Sequence, residues 1–352
     1  MMNKKKLSAV ALAGAMMLSM GTTVFAEEST IPNVDDGAGN ATITKNFEMA
    51  EGLSTPNYTF RFEATPKGDA PQATIEAVSF NEGDQRVLEN GKYTIAKDTA
   101  IKFGTFPHAG VYEYTIKEVT GSDNGVTYSK DTYTIRVYVV NEGNKLKIEK
   151  ITAEGKDGKK DKILFTNTYK KNASLMIEKA TTGKQADKTK QFSFTVKFHK
   201  SATEGQLADF EGKLTRKGGS VETVRTSEGS ASFTLADGDR LVFEDLPVGT
   251  TYVVTEAGVK DGYTPNVTVV ENGVTTVTKQ NGTDENDLSS LHENKNNLVG
   301  ENDNKVSFEN VYQDVAITGI IMNNLPFVLL IGVALVAFGA LAVVKKRKTA
   351  ER

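Results

Sequence analysis

Between residues 41 and 319 the chain is written in short runs where apolar and polar residues take turns. YEYTIKEV (112–119), YTIRVYVV (133–140) and TYVVTEAG (251–258) are the clearest. A period of two puts every second side chain on one face of a strand, so each run predicts a half-buried β-strand. Between the runs stand turn signals such as ENGK, SDNG, NEGN, ADGD and ENGV, rich in residues that tolerate a left-handed backbone. No helical period of 3.6 appears in this span. It is too long for one β-sandwich and suits two domains of about 130 residues each. The pattern therefore predicts an all-β chain of two tandem sandwiches, over 41–169 and 172–312, with the junction in YKKNA at 169–173.

Two segments break the alternation, one at each end. MMNKKK followed by a mostly apolar stretch, with small residues around VFA at 24–26, reads as a signal peptide over residues 1–26. Residues 27–40 then form an N-terminal tail. The segment 320–344 contains LPFVLLIGVALVAFGALAVV at 325–344, which is 20 residues without a charge. That is enough helix to cross the roughly 30 Å bilayer core, and the basic tail 345–352, opening KKRK, is the expected cytoplasmic flank. The expected location is thus outside the membrane, with a C-terminal transmembrane helix.

Charge sharpens the picture. The chain carries −3 in all; setting aside the +3 of Lys4, Lys5 and Lys6 and the net +4 of residues 345–352 leaves −10 for residues 27–344. An acidic ectodomain without a basic stripe argues against nucleic acid as a partner. Cysteine is absent, so any covalent staple must come from other chemistry. Histidine occurs only at 108, 199 and 292, which offers neither a metal cluster nor a catalytic triad, and no phosphate-binding glycine loop is present. No metal or cofactor is expected. The Asp/Asn-rich segment 281–305 lacks the spacing of an EF-hand and reads as a long mobile loop.

Three polar residues contradict the alternation, and they do so twice. Lys45 lies among Ile43 and Phe47, Glu118 among Tyr112, Tyr114 and Ile116, and Asn167 between Phe165 and Tyr169. In the second half Lys179 shares a face with Leu175 and Ile177, Glu256 with Tyr252 and Val254, and Asn310 with Phe308 and Tyr312. The order is the same, and so nearly is the spacing: 73 and 77 residues from lysine to glutamate, 49 and 54 from glutamate to asparagine. One such residue would be a solvated strand position or a turn cap. Six of matching type, order and parity indicate one module used twice.

Burial gives the three side chains a chemistry. Desolvation lowers a lysine pKa and raises a glutamate pKa, favouring both neutral forms. A neutral amine is a nucleophile, and a neutral carboxylic acid can donate a hydrogen bond to a carbonyl oxygen. With an asparagine amide between them, the amine attacks the amide carbon while the acid polarises the carbonyl and relays protons. Ammonia leaves, and a Lys–Asn isopeptide bond forms once per domain, without turnover. The chain is therefore no enzyme in the usual sense.

At these residues the sequence resembles the backbone (major) pilins of Gram-positive bacteria. TITKNFE, YEYTIKE and ILFTN are similar to the family's first-domain elements, and LMIEKATTG, LPVGTTYVVTE and VSFEN to its second-domain elements. The resemblance spans residues 41–319 and implies tandem Ig-like (CnaB-like) domains. It implies cross-links Lys45–Asn167, promoted by Glu118, and Lys179–Asn310, promoted by Glu256. In QDVAITGIIMNN (313–324) it implies a sortase sorting signal over 313–319, cleaved between Thr318 and Gly319. VAITG departs from LPxTG at its first two positions, which leaves the class of sortase open. Ungapped comparison from Asn167 sets Lys160 where the family has its inter-subunit lysine, ahead of its neighbours Lys162 and Lys159. The implied function is a structural shaft subunit of a covalent pilus. Its implied partners are sortase, identical pilin subunits, minor pilins and cell-wall peptidoglycan, with the membrane holding the chain before sorting. The alternatives are a minor pilin or wall-anchored adhesin never chained through a lysine, and a surface hydrolase, which the missing catalytic constellation disfavours.

Overall fold

The computed structural model describes residues 41–259, 261–280 and 286–313. Signal segment, sorting motif (Thr318 and Gly319 included), hydrophobic segment and basic tail all lie outside them. Among the described residues there is no helix, and the strands follow the alternation closely. YTIRVYVV falls in Thr132–Glu142, YEYTIKEV in Gly110–Glu118 but for its last residue, and TYVVTEAG in Thr251–Glu256 but for its last two.

Most strands from Ala41 to Tyr169 build two facing sheets, while Tyr58–Phe60 and Val78–Phe80 pair as a separate two-stranded sheet. In one, the first strand Ala41–Ala50 lies between Lys92–Phe103 and the closing strand Ile163–Tyr169. In the other, Gly110–Glu118 lies between Phe62–Lys67 and Thr132–Glu142, which continues into the hairpin of Lys145–Gly155 and Gly158–Lys160. The strands from Asn172 to Tyr312 repeat the plan. Asn172–Thr182 pairs with the closing strand Lys305–Tyr312, and Thr251–Glu256 runs through the opposing sheet beside Phe192–His199. Each pair of sheets encloses its own apolar core. Ile43, Phe47, Tyr114, Ile116, Ile135 and Phe165 fill the first; Ile177, Phe194, Val254, Val267, Val306 and Phe308 fill the second.

First and last strands are parallel neighbours in both halves. Parallel strands cannot be joined by a tight hairpin, so the whole intervening chain is the crossover. Phe47 faces Asn167 in the first half and Thr181 faces Asn310 in the second. Each lysine thus stands two residues before the partner of its asparagine, on the same face of the adjoining strand.

The segment 286–304, expected as part of a long mobile loop, is pinned instead. Leu288–Ser289 and Asn297–Leu298 pair with Thr251–Glu256. Buried Ser290 exchanges hydrogen bonds with Val254, Asn297 donates to Glu271 at 2.7 Å, and the Asn304 amide caps five backbone groups around it. Its asparagines satisfy backbone that an apolar loop would have left unpaired.

The two halves meet at a packed joint. Val248 of the second half joins the core cluster of the first, and Gly249 turns there with φ +87°. A Cβ on Gly249 would stand 2.6 Å from both Ala50 Cβ and Ser201 Oγ, so the close approach requires glycine. Around it the Glu301 carboxylate accepts from the Ser54 N–H at 3.0 Å and the Ser54 hydroxyl, and pairs with Lys171 at 3.4 Å. Lys170 pairs with Glu204 at 3.0 Å.

Candidate functional site

Lys45 and Asn167 are fully buried, on adjacent strands of one sheet; Glu118 is 5% exposed, at the end of a strand in the facing sheet. The core between the sheets brings the three side chains together. Lys45 Nζ donates to Glu118 Oε2 at 2.9 Å, and Asn167 Nδ2 donates to Glu118 Oε1 at 2.5 Å. The amine also lies 4.5 Å from the centre of the Phe60 ring. Burial pulls the Lys45 pKa from the ordinary 10.5 to about 8, although the hydrogen bond and charge of Glu118 push the other way.

The second half assembles Lys179, Glu256 and Asn310 in the same manner, all three buried. Lys179 Nζ stands 3.1 Å from Glu256 Oε1, near enough for an ion pair but not aligned as a hydrogen bond. Asn310 Nδ2 donates to that same Oε1 at 2.7 Å, and Lys179 lies 4.6 Å from the centre of the Phe192 ring. Burial again brings the lysine to about 8 and raises the Glu256 carboxyl above its ordinary value, against the pull of Lys179 and Asn310. Glu256 Oε2 and Asn310 Oδ1 have no hydrogen-bond partner.

One detail differs from the chemistry expected of these residues. In both halves the carboxyl group faces the amide nitrogen, not the carbonyl oxygen. A carboxylate offers only lone pairs, so it takes the N–H end of the amide. The carbonyl oxygen of Asn167 is held by a residue that strand patterning could not mark: the backbone N–H of Ser129 donates to Oδ1 at 2.7 Å. Ser129 sits between strands, in a stretch with no alternation to read.

The lysines before the first closing strand separate in the structure. Lys159 and Lys160 lie on the short edge strand Gly158–Lys160, and Lys162 follows it. Lys159 and Lys162 are exposed, whereas Lys160 is half-buried. Its stem lies over Gly155, where a Cβ would stand 3.1 Å from Lys160 Cε. Its amine reaches Asp157 at 3.5 Å. Among the described residues, no group of three His, Cys, Asp or Glu side chains is arranged to hold a metal ion.

Comparison with known proteins follows this division of the chain. Residues 41–170 match the family described as the Spy0128-like isopeptide containing domain, and residues 173–312 match a domain of unknown function, DUF7601. The chain is 29% identical to a pilin of Streptococcus pyogenes serotype M1 over 361 aligned positions, covering 97% of this chain and 99% of that one. It is 38% identical over 87 positions to the pilus tip adhesin Cpa of Streptococcus pyogenes, covering 25% of this chain and 12% of the adhesin. Among solved structures, the major pilin of Streptococcus pyogenes is 24% identical with a TM-score of 0.37, covering 78% of this chain and 99% of that one. The first half thus carries the isopeptide-containing domain, and over nearly its whole length the chain is similar to a pilin.

Proposed function

We propose that this chain is the shaft subunit of a pilus, that it cross-links itself twice and that a sortase then chains it to copies of itself. The observation that carries the reading is the pair of buried triads, Lys45–Glu118–Asn167 and Lys179–Glu256–Asn310, each with its carboxyl group touching or facing both amine and amide. Leaving a lysine, a glutamate and an asparagine in a core as separate groups costs several kcal/mol per ion. A lysine whose pKa is pulled down to about 8 has a far larger neutral fraction for attack at the amide carbon than an ordinary lysine, about a tenth at neutral pH. The carboxyl then takes a proton from the amine nitrogen and gives one to the departing amide nitrogen. Ammonia leaves, and the carboxyl ends as it began.

The intact mass of the recombinant full chain is expected to fall short of its sequence mass by two ammonia molecules. Glu118→Ala and Glu256→Ala should each restore one of them, in their own half only. A full-length mass for the unsubstituted chain would sink this chemistry.

For assembly, the expected donor is Thr318, held by the sortase after cleavage before Gly319, and the expected acceptor is Lys160. Its position seven residues before Asn167, which matches the resembling family's linking lysine, supports that choice over Lys159 and Lys162. The short match to a tip adhesin favours one second reading, a wall-anchored adhesin never chained through a lysine. Boiling wall extracts in detergent and blotting separates them. A ladder that collapses in Lys160→Ala supports chaining through Lys160; a single band from the unsubstituted protein supports the adhesin.

A further inference from the structure

We propose that the backbone N–H of Ser129 is a catalytic group of the first cross-link, polarising the Asn167 carbonyl and holding the negative charge that its oxygen gains. The inference rests on the isopeptide chemistry proposed above and adds a group that the lysine–glutamate–asparagine triad lacks.

Attack by Lys45 Nζ forms the new N–C bond and moves the carbonyl π electrons onto Asn167 Oδ1. When that pair returns to re-form the carbonyl, the Cγ–Nδ2 bond breaks and ammonia departs with a proton from Glu118. Some donor has to face Oδ1 during the charged interval. Glu118 does not serve, because both its oxygens are taken up elsewhere, Oε2 with the amine and Oε1 with the amide nitrogen. The Ser129 N–H does serve: at 2.7 Å it lies at the distance from which oxyanion-hole donors act.

Three further features suit the role. A backbone N–H can only donate, so it fixes which end of the Asn167 amide is oxygen and turns Nδ2, the leaving group, toward the proton relay. Asn167 is fully buried, so water does not compete for its oxygen. The Ser129 side chain is turned away: its hydroxyl donates to Asp131 Oδ2 at 3.1 Å and accepts from the Asp131 N–H at 3.3 Å, a local clasp that holds the donor in place beforehand. No described residue donates to Asn310 Oδ1 in the second half, which makes that half an internal control.

The decisive variant replaces the Ser129 peptide N–H by an ester oxygen, through an α-hydroxy analogue of serine at position 129. The change keeps the shape of the chain and deletes one donor. The full chain would be made in a cell-free pulse and followed by mass, with the Lys45–Asn167 and Lys179–Asn310 peptides mapped separately. First-half cross-linking should slow about 100-fold, as when one oxyanion-hole donor is removed, with the second half unchanged. Ser129→Ala, which keeps the N–H but loses the Asp131 clasp, should slow the first half far less than the ester does. An ester variant that cross-links its first half at the ordinary rate overturns the role of Ser129. Absence of the Lys45–Asn167 peptide from the unsubstituted chain overturns the underlying chemistry instead, so the two failures are distinguishable.

Discussion

A lysine forced into a β-sandwich core is a titration problem before it is a chemical one. Lys179 is held near 8 against an ordinary 10.5, so an unjoined second half binds fewer protons there than the unfolded chain between those values. Glu256 is shifted upward, so that half binds more protons than the unfolded chain just above 4.5. The Asn310→Ala variant, in which both groups stay free, should therefore lose stability as pH rises above about 4.5 and regain it between about 8 and 10.5. Denaturant melts across pH test this; no recovery at high pH would refute the lysine shift. The unsubstituted chain, its amine consumed in an amide, should lack that recovery. All six triad residues were legible because strand parity betrays a polar residue on an apolar face. Ser129 was not, since it contributes a backbone group from a turn and any residue but proline carries that N–H.

Between elements, what matters is register. The lysine and the asparagine meet because Phe47 faces Asn167 and Thr181 faces Asn310, the same two-residue offset in both halves. A shift of one residue sends a strand side chain to the other face. Exchanging neighbours in the double variant Asn167→Thr, Thr168→Asn should therefore abolish the first ammonia loss and leave the second intact, by intact mass. A loss that persists would mean the site does not depend on strand face. With the bond, the long crossover becomes a closed loop, which by the chain-entropy account of cross-links adds on the order of 4–5 kcal/mol. Glu118→Ala should cost the first half at least that much in a denaturant melt, since it also strands a buried lysine. The sequence disclosed the strands but not their partners: alternation is a property of one strand, whereas pairing depends on chain far away. The same gap hid the pinning of 286–304, where asparagines that suggested mobility hold the backbone in place.

Across the whole molecule, the halves are coupled by the joint at Gly249 and Glu301, a contact no single-strand pattern could announce. Glu301→Ala should free the Ser54 amide, raising its hydrogen-exchange rate by about tenfold while both cross-links still form. Unchanged Ser54 protection would mean that the carboxylate does not clasp the joint. Under tension the unsubstituted chain should show no unfolding step in single-molecule pulling, with one step appearing in Glu118→Ala and one in Glu256→Ala. A step in the unsubstituted chain would place its cross-links off the line of force. For a chain pulled by its two ends, the parallel pairing of first and last strands would set that line once both proposed cross-links are in place: in at the first strand, across from Lys45 to Asn167, on through the joint, across again from Lys179 to Asn310, and out. Residues 46–166 and 180–309 would then lie beside that line, unloaded. In a fibre chained from Thr318 to Lys160, load would instead enter at Lys160 and reach Asn167 along the closing strand, leaving residues 46–159 and 180–309 outside it.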